Sequence, residues 1–167
     1  MEIEEDRTVE MMTRPALTRR QALGGVASAL ALLVPGAARA VPLGPRDMTI
    51  YRDPGCDCCL LWAAAARRAG YRTRIIDSPD MARIKRRLGV PQALASCHTA
   101  VVGGLVVEGH VPLDRVDRLL RGRSAAVRGV AVPGMPLGAP GMESPDGRHQ
   151  PFRIYTFDEG GRATIMG

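Results

Sequence analysis

Two hydrophobic periods alternate along the middle of the chain, and the points where one gives way to the other lay out its elements. Met48-Thr49-Ile50-Tyr51 alternates as a short strand, which Asp53-Pro54-Gly55 ends. From Cys58 onward the composition turns helical, through Leu60, Leu61, Trp62, the alanines and Arg67-Arg68, and Gly70 stops it. Residues 71–77, with β-branched Thr73, Ile75 and Ile76, predict a second strand. Ser78-Pro79-Asp80 opens a second helix through Ile84 and Leu88 to Gly89, with Ser78 or Asp80 able to cap its orphan amides. After a helical turn at 91–96, residues 99–108 predict a β-hairpin about a Gly103-Gly104 turn. Pro112 begins a third helix that carries Leu113, Val116, Leu119 and Leu120 at helical spacing.

Strand, helix, strand, helix, hairpin, helix is the order of an α/β, thioredoxin-like mixed sheet with flanking helices. Past about residue 123 the pattern changes. Residues 130–142 read Val-Ala-Val-Pro-Gly-Met-Pro-Leu-Gly-Ala-Pro-Gly-Met, too rich in glycine and proline for a helix or central strand, so an ordered Gly/Pro/Met-rich surface loop is expected there. Residues 152–157 and 162–166 alternate on either side of Asp158-Glu159-Gly160-Gly161 and predict a C-terminal β-hairpin.

Residues 1–40 carry the pattern of a targeting segment. Thr18-Arg19-Arg20-Gln21-Ala22-Leu23 sets a twin arginine before an apolar run, and Ala38-Arg39-Ala40 offers a small-x-small cleavage site. The run at 22–34 is too short to span a hydrocarbon core of about 30 Å as a helix. A cleavable export signal over 1–40, of twin-arginine type, and a single domain over 41–167 are therefore expected, with the mature chain in the periplasm. Ala22 stands where twin-arginine signals usually carry a bulky aromatic, which leaves the general secretory route open. No later stretch is apolar enough for a membrane span.

Charge changes the picture little. The net charge is +6 and almost wholly arginine, but the arginines are scattered, and two Phe, three Tyr and one Trp give no basic-aromatic alternation, so nucleic acid is not an expected partner.

Cysteine placement changes it more. Three of the four cysteines fall in Cys56-Asp57-Cys58-Cys59, between the first strand and first helix, and the fourth is Cys97, followed by His98 at the entrance to the hairpin. In this fold those two places lie side by side. The four sulfurs are expected to converge, and a helix N-terminus would favour their ionisation. Two chemistries compete. Cys56 and Cys59 have the Cys-x-x-Cys spacing of a thiol-disulfide oxidoreductase. Yet Cys58 interrupts that pair, and Cys97-His98 stands where such enzymes keep a proline. Four thiolates with imidazole nearby suit Cu(I), Zn(II) or an iron-sulfur centre. Consecutive side chains on a helix diverge by about 100°, so Cys58 and Cys59 serve one tetrahedral ion poorly and several sulfur-bridged ions better, which favours copper(I) over zinc. His110, after the hairpin, is a further candidate ligand. Met135 and Met142 are either thioether donors or apolar anchors of their loop, and His149 lies in a polar, solvated stretch.

Several blocks resemble a known family in order: Tyr51-x-x-Pro54-x-Cys56-x-Cys58-Cys59-x-x-Trp62, Leu88-Gly89-Val90-Pro91, Leu94-Ala95-Ser96-Cys97-His98-Thr99-Ala100, Glu108-Gly109-His110-Val111-Pro112 and Val132-Pro133-Gly134-Met135-Pro136-x-Gly138-x-Pro140-Gly141-Met142-Glu143. The family is that of exported bacterial metal-binding proteins, long catalogued as a domain of unknown function, to which the periplasmic copper-resistance protein CopG belongs. The resemblance implies a thioredoxin-like fold that holds a cluster of more than one copper ion through Cys56, Cys58, Cys59 and Cys97, with His98 and His110. It also implies a role in copper handling or resistance among periplasmic copper-handling proteins. A thiol-disulfide or copper redox enzyme, and a zinc-stabilised interaction module, are the alternatives.

Overall fold

The computed structural model describes residues 46–167; the expected export signal lies outside them. Seven strands form one sheet in the order β2-β1-β3-β4-β5-β6-β7. The strands are β1 (Asp47–Arg52), β2 (Arg72–Asp77), β3 (His98–Val102), β4 (Leu105–Glu108), β5 (Gly129–Ala131), β6 (Tyr155–Phe157) and β7 (Ala163–Ile165). Three α-helices, α1 (Asp57–Arg68), α2 (Met81–Leu88) and α3 (Leu113–Gly122), and a 3-10 turn at Gln92–Leu94 complete it. β1 pairs with β2 in parallel and with β3 antiparallel, and β3 pairs antiparallel with β4, the thioredoxin-like core expected from the element order.

Local chemistry sets the boundaries. Asp80 Oδ1 accepts from Arg83 N at 2.9 Å and caps α2, while Gly89, at φ 75°, ends it. Gly103 and Gly104 both take positive φ, as a two-residue hairpin turn whose twist matches its strands requires. The core lies between α1, α3 and the sheet, where Trp62, Met48, Ile50, Val102, Leu105, Val107 and Val116 are buried together.

One expectation is corrected here. Residues 129–131 are not surface loop but strand β5, parallel to β4 and antiparallel to β6, and Val130, Ala131 and Val132 are fully buried. The Val-Ala-Val run is a buried strand, and only from Pro133, which lacks the donor a ladder needs, does the chain become loop. The C-terminal hairpin is thereby continuous with the core sheet, since β6 pairs with β5. No helix among the described residues is long and apolar enough to cross a membrane.

Candidate metal centre

The turn between β1 and α1 is built around Arg52. Its buried guanidinium donates to the carbonyls of Pro54 and Cys56 at 3.2 and 2.9 Å and pairs with Asp77 at 2.8 Å. Gly55 N donates to Asp53 Oδ1 and Cys56 N to the Asp53 carbonyl, closing the turn. Cys56 becomes the residue that caps α1, and Cys58 and Cys59 fall in its first turn. The two diverge as adjacent helical residues must: Cys59 is buried, and Cys58 is part-exposed.

The second corner hangs on a buried carboxylate. Glu108, at the end of β4, accepts from Lys85 Nζ at 2.5 Å, Ser96 N at 2.6 Å and Thr99 Oγ1 at 2.6 Å. Burial pushes its carboxyl above the usual range, and the lysine and the other donors pull it back. Those donors flank Cys97 on both sides and hold the segment that presents it. Lys85 is the chain's single lysine.

The two corners meet. The four cysteine sulfurs lie within 4.8 Å of one another, as do the ligand atoms of Cys97, His98 and His110. Cys58 Sγ is 3.5 Å from Cys56 Sγ and 3.8 Å from Cys97 Sγ. Cys97 Sγ faces His98 Nδ1 at 3.4 Å and His110 Nε2 at 3.1 Å. His98 stacks on Trp62 with ring centroids 4.6 Å apart and meets His110 edge-on at 5.0 Å. Among the described residues Cys56 and Cys59 form a disulfide, and Cys58 and Cys97 are free thiols.

Electrostatics corrects the expectation of ionised sulfurs at Cys97. That residue lies outside the first turn of α1, and burial, with Cys58 beside it, pushes its thiol up to about 12. Burial also lowers the pKa of both imidazoles, most strongly that of His98, where His110 and Lys85 add to the effect. Cys97 and the two imidazoles are thus held towards their uncharged forms, in a cluster of soft and borderline donors with a buried His98 Nε2 that lacks a hydrogen-bond partner. Such a donor set fits a soft cation, because a positive ion replaces the thiol protons and supplies the charge that thiolates need in a dry site.

The Gly/Pro/Met-rich loop lies across this cluster. Ser96 Oγ donates to the Gly134 carbonyl at one end, and His110 Nδ1 donates to the Pro140 carbonyl at 2.8 Å near the other. Gly141, at φ 81°, lets the loop settle on α1, where an added Cβ would stand 2.6 Å from Trp62 N. Met135 reaches back to place Sδ 3.9 Å from Cys58 Sγ. His149 is exposed and remote from this set, as expected. Sequence reasoning missed Arg52, Lys85 and Ser96 as positioning residues. The available signals were the chain's one lysine and an acid ending an otherwise apolar Leu105-Val106-Val107-Glu108 strand.

The chain is similar to known proteins in sequence and in fold. The family described as "Protein of unknown function, DUF411" matches residues 94–142. Two solved structures of the copper resistance protein copG, Form 1 and Form 2, are each 38% identical to this chain with a TM-score of 0.68. Each covers 73% of this chain, which in turn covers 95% and 96% of theirs. No curated protein matches.

Proposed function

The chain belongs to the copG-containing family, and from that premise we propose that it is an exported copper(I)-binding protein acting in copper handling or resistance. The observation that carries this reading is the approach of Cys58 Sγ to Cys97 Sγ, 3.8 Å apart, with His110 Nε2 3.1 Å from Cys97 Sγ. Thiols thirty-nine residues apart in sequence are brought together with no structural crosslink between them. Cys56, Cys58, Cys59 and Cys97 are the sulfur ligands, and His98 and His110 the nitrogen ligands. A dithiol reductant, itself oxidised to a disulfide, supplies the two electrons and two protons that open the Cys56–Cys59 disulfide and complete the set. Each thiol then yields its proton to solvent as it takes metal. Four sulfurs and two imidazoles offer more donors than one tetrahedral ion takes, and the reading is of more than one Cu(I). The twin-arginine segment would deliver the domain folded to the periplasm, where other copper-handling proteins are its partners.

A second reading is favoured by the disulfide itself, which has the Cys-x-x-Cys spacing of an oxidoreductase. Oxidising the Cys56 and Cys59 thiols releases two electrons and two protons, enough to reduce two Cu(II) to Cu(I) or one partner disulfide.

Anaerobic purification with metal analysis of the reduced protein and of Cys97→Ser separates these readings. More than one copper per chain, lost in Cys97→Ser, supports copper binding. Turnover of a disulfide substrate without metal supports the oxidoreductase, and one tightly held zinc contradicts both. A hundredfold excess of Cu(I) over Kd should stabilise the fold by about 2.7 kcal/mol.

A further inference from the structure

Helix α2 carries four cations and no acid within Met81–Leu88. Two of them have work inside the fold. Lys85 turns in to Glu108 and Thr99, and Arg87 lies over the Tyr51 ring, 5.8 Å from its centroid. The other two, Arg83 and Arg86, are exposed one turn apart and make no ion pair among the described residues. Exposed Arg74, equally without an ion pair there, extends this face from the edge strand. Register fixes its side: Tyr51, under Arg87, pairs with Ile76, and Arg74 stands two residues along β2 from Ile76, hence on the same face of the sheet. The acids nearest in sequence are engaged, Asp77 with Arg52 at 2.8 Å and Asp80 with the Arg83 amide at 2.9 Å.

Against Arg86 opens a pocket of about 410 Å³, lined by Ala82, Lys85, Arg86, Val90, Gln92 and Ala95. Its walls are small side chains, one amide and the aliphatic stems of two cations, so it suits an apolar side chain with carboxylates at its rim. Its far wall, at Ala95, leads directly into Ser96 and Cys97, and Lys85 on the near wall shares Glu108 with the Ser96 amide. Among the described residues no exposed large apolar side chain lies on α2, so the face offers charge and a recess but nothing to insert into a bilayer.

We propose that this face docks an acidic segment of the protein partner with which the centre exchanges copper, one apolar side chain entering the pocket and flanking carboxylates meeting Arg83 and Arg86. The exchange half rests on the copper-binding reading and names the surface its partner uses; the docking half needs no metal. A guanidinium takes a carboxylate through two parallel N–H donors, which fixes orientation, and the wider basic face steers an acidic partner in. Docking here sets the partner against the segment that presents Cys97.

The test is amide NMR of the reduced, metal-free protein, titrated with a capped peptide in which one leucine is flanked on both sides by glutamates. Amides of α2 and of Val90, Gln92 and Ala95 should shift, and those of α3, across the sheet, should not. Binding should weaken about tenfold or more when glutamines replace the glutamates, in Arg83→Glu combined with Arg86→Glu, and in Ala82→Leu, which fills the pocket without changing charge. The charge-reversed protein should fold and load Cu(I) as before, yet accept Cu(I) more slowly from a cysteine-containing form of the acidic peptide. No shift, equal binding of the glutamine peptide, or shifts spread over every arginine-bearing surface overturns the proposal. Vesicles of phosphatidylglycerol that move the α2 amides where the peptide does not would assign the face to a membrane and overturn it too. Unchanged Cu(I) transfer in the charge-reversed protein overturns the exchange half alone, whereas a protein that docks the peptide and takes no Cu(I) from any source overturns the copper reading and leaves the docking half standing.

Discussion

His110 aims Nε2 at the sulfur of Cys97, 3.1 Å away, because its other ring nitrogen is committed to the Pro140 carbonyl at 2.8 Å. A carbonyl can only accept, so Nδ1 carries the proton and Nε2 keeps its lone pair. A loop contact thus fixes the tautomer that a ligand histidine needs, as outer partners do at metal sites. Nitrogen NMR of the reduced, metal-free protein near neutral pH should show His110 neutral and protonated at Nδ1. A signal from Nε2–H would mean that the loop does not set this ring.

Glu108 and Lys85 form a pair with side chains 0% and 13% exposed. Removing one partner leaves the other charge in a dry site, which typically costs about 3–5 kcal/mol. Glu108→Ala also orphans Ser96 N and the Thr99 hydroxyl, so it should be the more severe variant by urea denaturation. Lys85→Met combined with Glu108→Leu should recover part of the loss, and the non-additivity in that cycle reads the pair directly.

Gly141 is where the loop rests on α1. Alanine there would place Cβ 2.6 Å from Trp62 N, at φ 81°, and both effects oppose it. A loss on the order of 1–3 kcal/mol is expected from the backbone conformation alone. Because Trp62 is the only tryptophan, its emission reports the lifting of the loop. Gly141→Ala should lower Tm, alter that emission and weaken metal binding together.

How much of this was legible in the sequence follows from which features are local. Helix and strand positions were, because Gly70, Gly89, Gly103-Gly104 and Pro112 punctuate the chain where its hydrophobic period changes. Convergence of the two cysteine corners was also legible, since the element order fixes which loops of the sheet are neighbours. β5 was not: Pro133 and Gly134 follow Val130-Ala131-Val132 so closely that the segment reads as loop, and only pairing with β4 and β6 makes it strand. Nor was the protonation of Cys97, because burial sets it and spacing along the chain does not reveal burial. The contacts of Arg52, Lys85 and Ser96 depend on packing between distant segments, which spacing does not reveal. Which cysteines pair is likewise a three-dimensional fact, as Cys56-Asp57-Cys58-Cys59 admits more than one choice.

Proton linkage gives a further expectation. A Cys97 thiol raised from 9.0 to about 12 is still protonated at neutral pH, so binding a soft ion must displace that proton. Cu(I) affinity should rise with pH across the neutral range, by about tenfold per pH unit for each proton displaced. For the metal-free reduced protein the sign is opposite. A raised folded-state pKa contributes stability that is complete below about pH 9 and is lost as pH climbs towards 12. Denaturation at stepped pH, with and without metal, should show the two trends diverging.

The central claim is that one soft-metal centre draws on both cysteine corners, and cysteine alkylation read by mass spectrometry tests it most directly. In reduced, anaerobic protein loaded with Cu(I), Cys97 should be protected together with Cys56, Cys58 and Cys59, and all four should become reactive again when a chelator strips the metal. Protection confined to Cys56, Cys58 and Cys59, with Cys97 alkylated as fast as in the metal-free protein, would contradict the account.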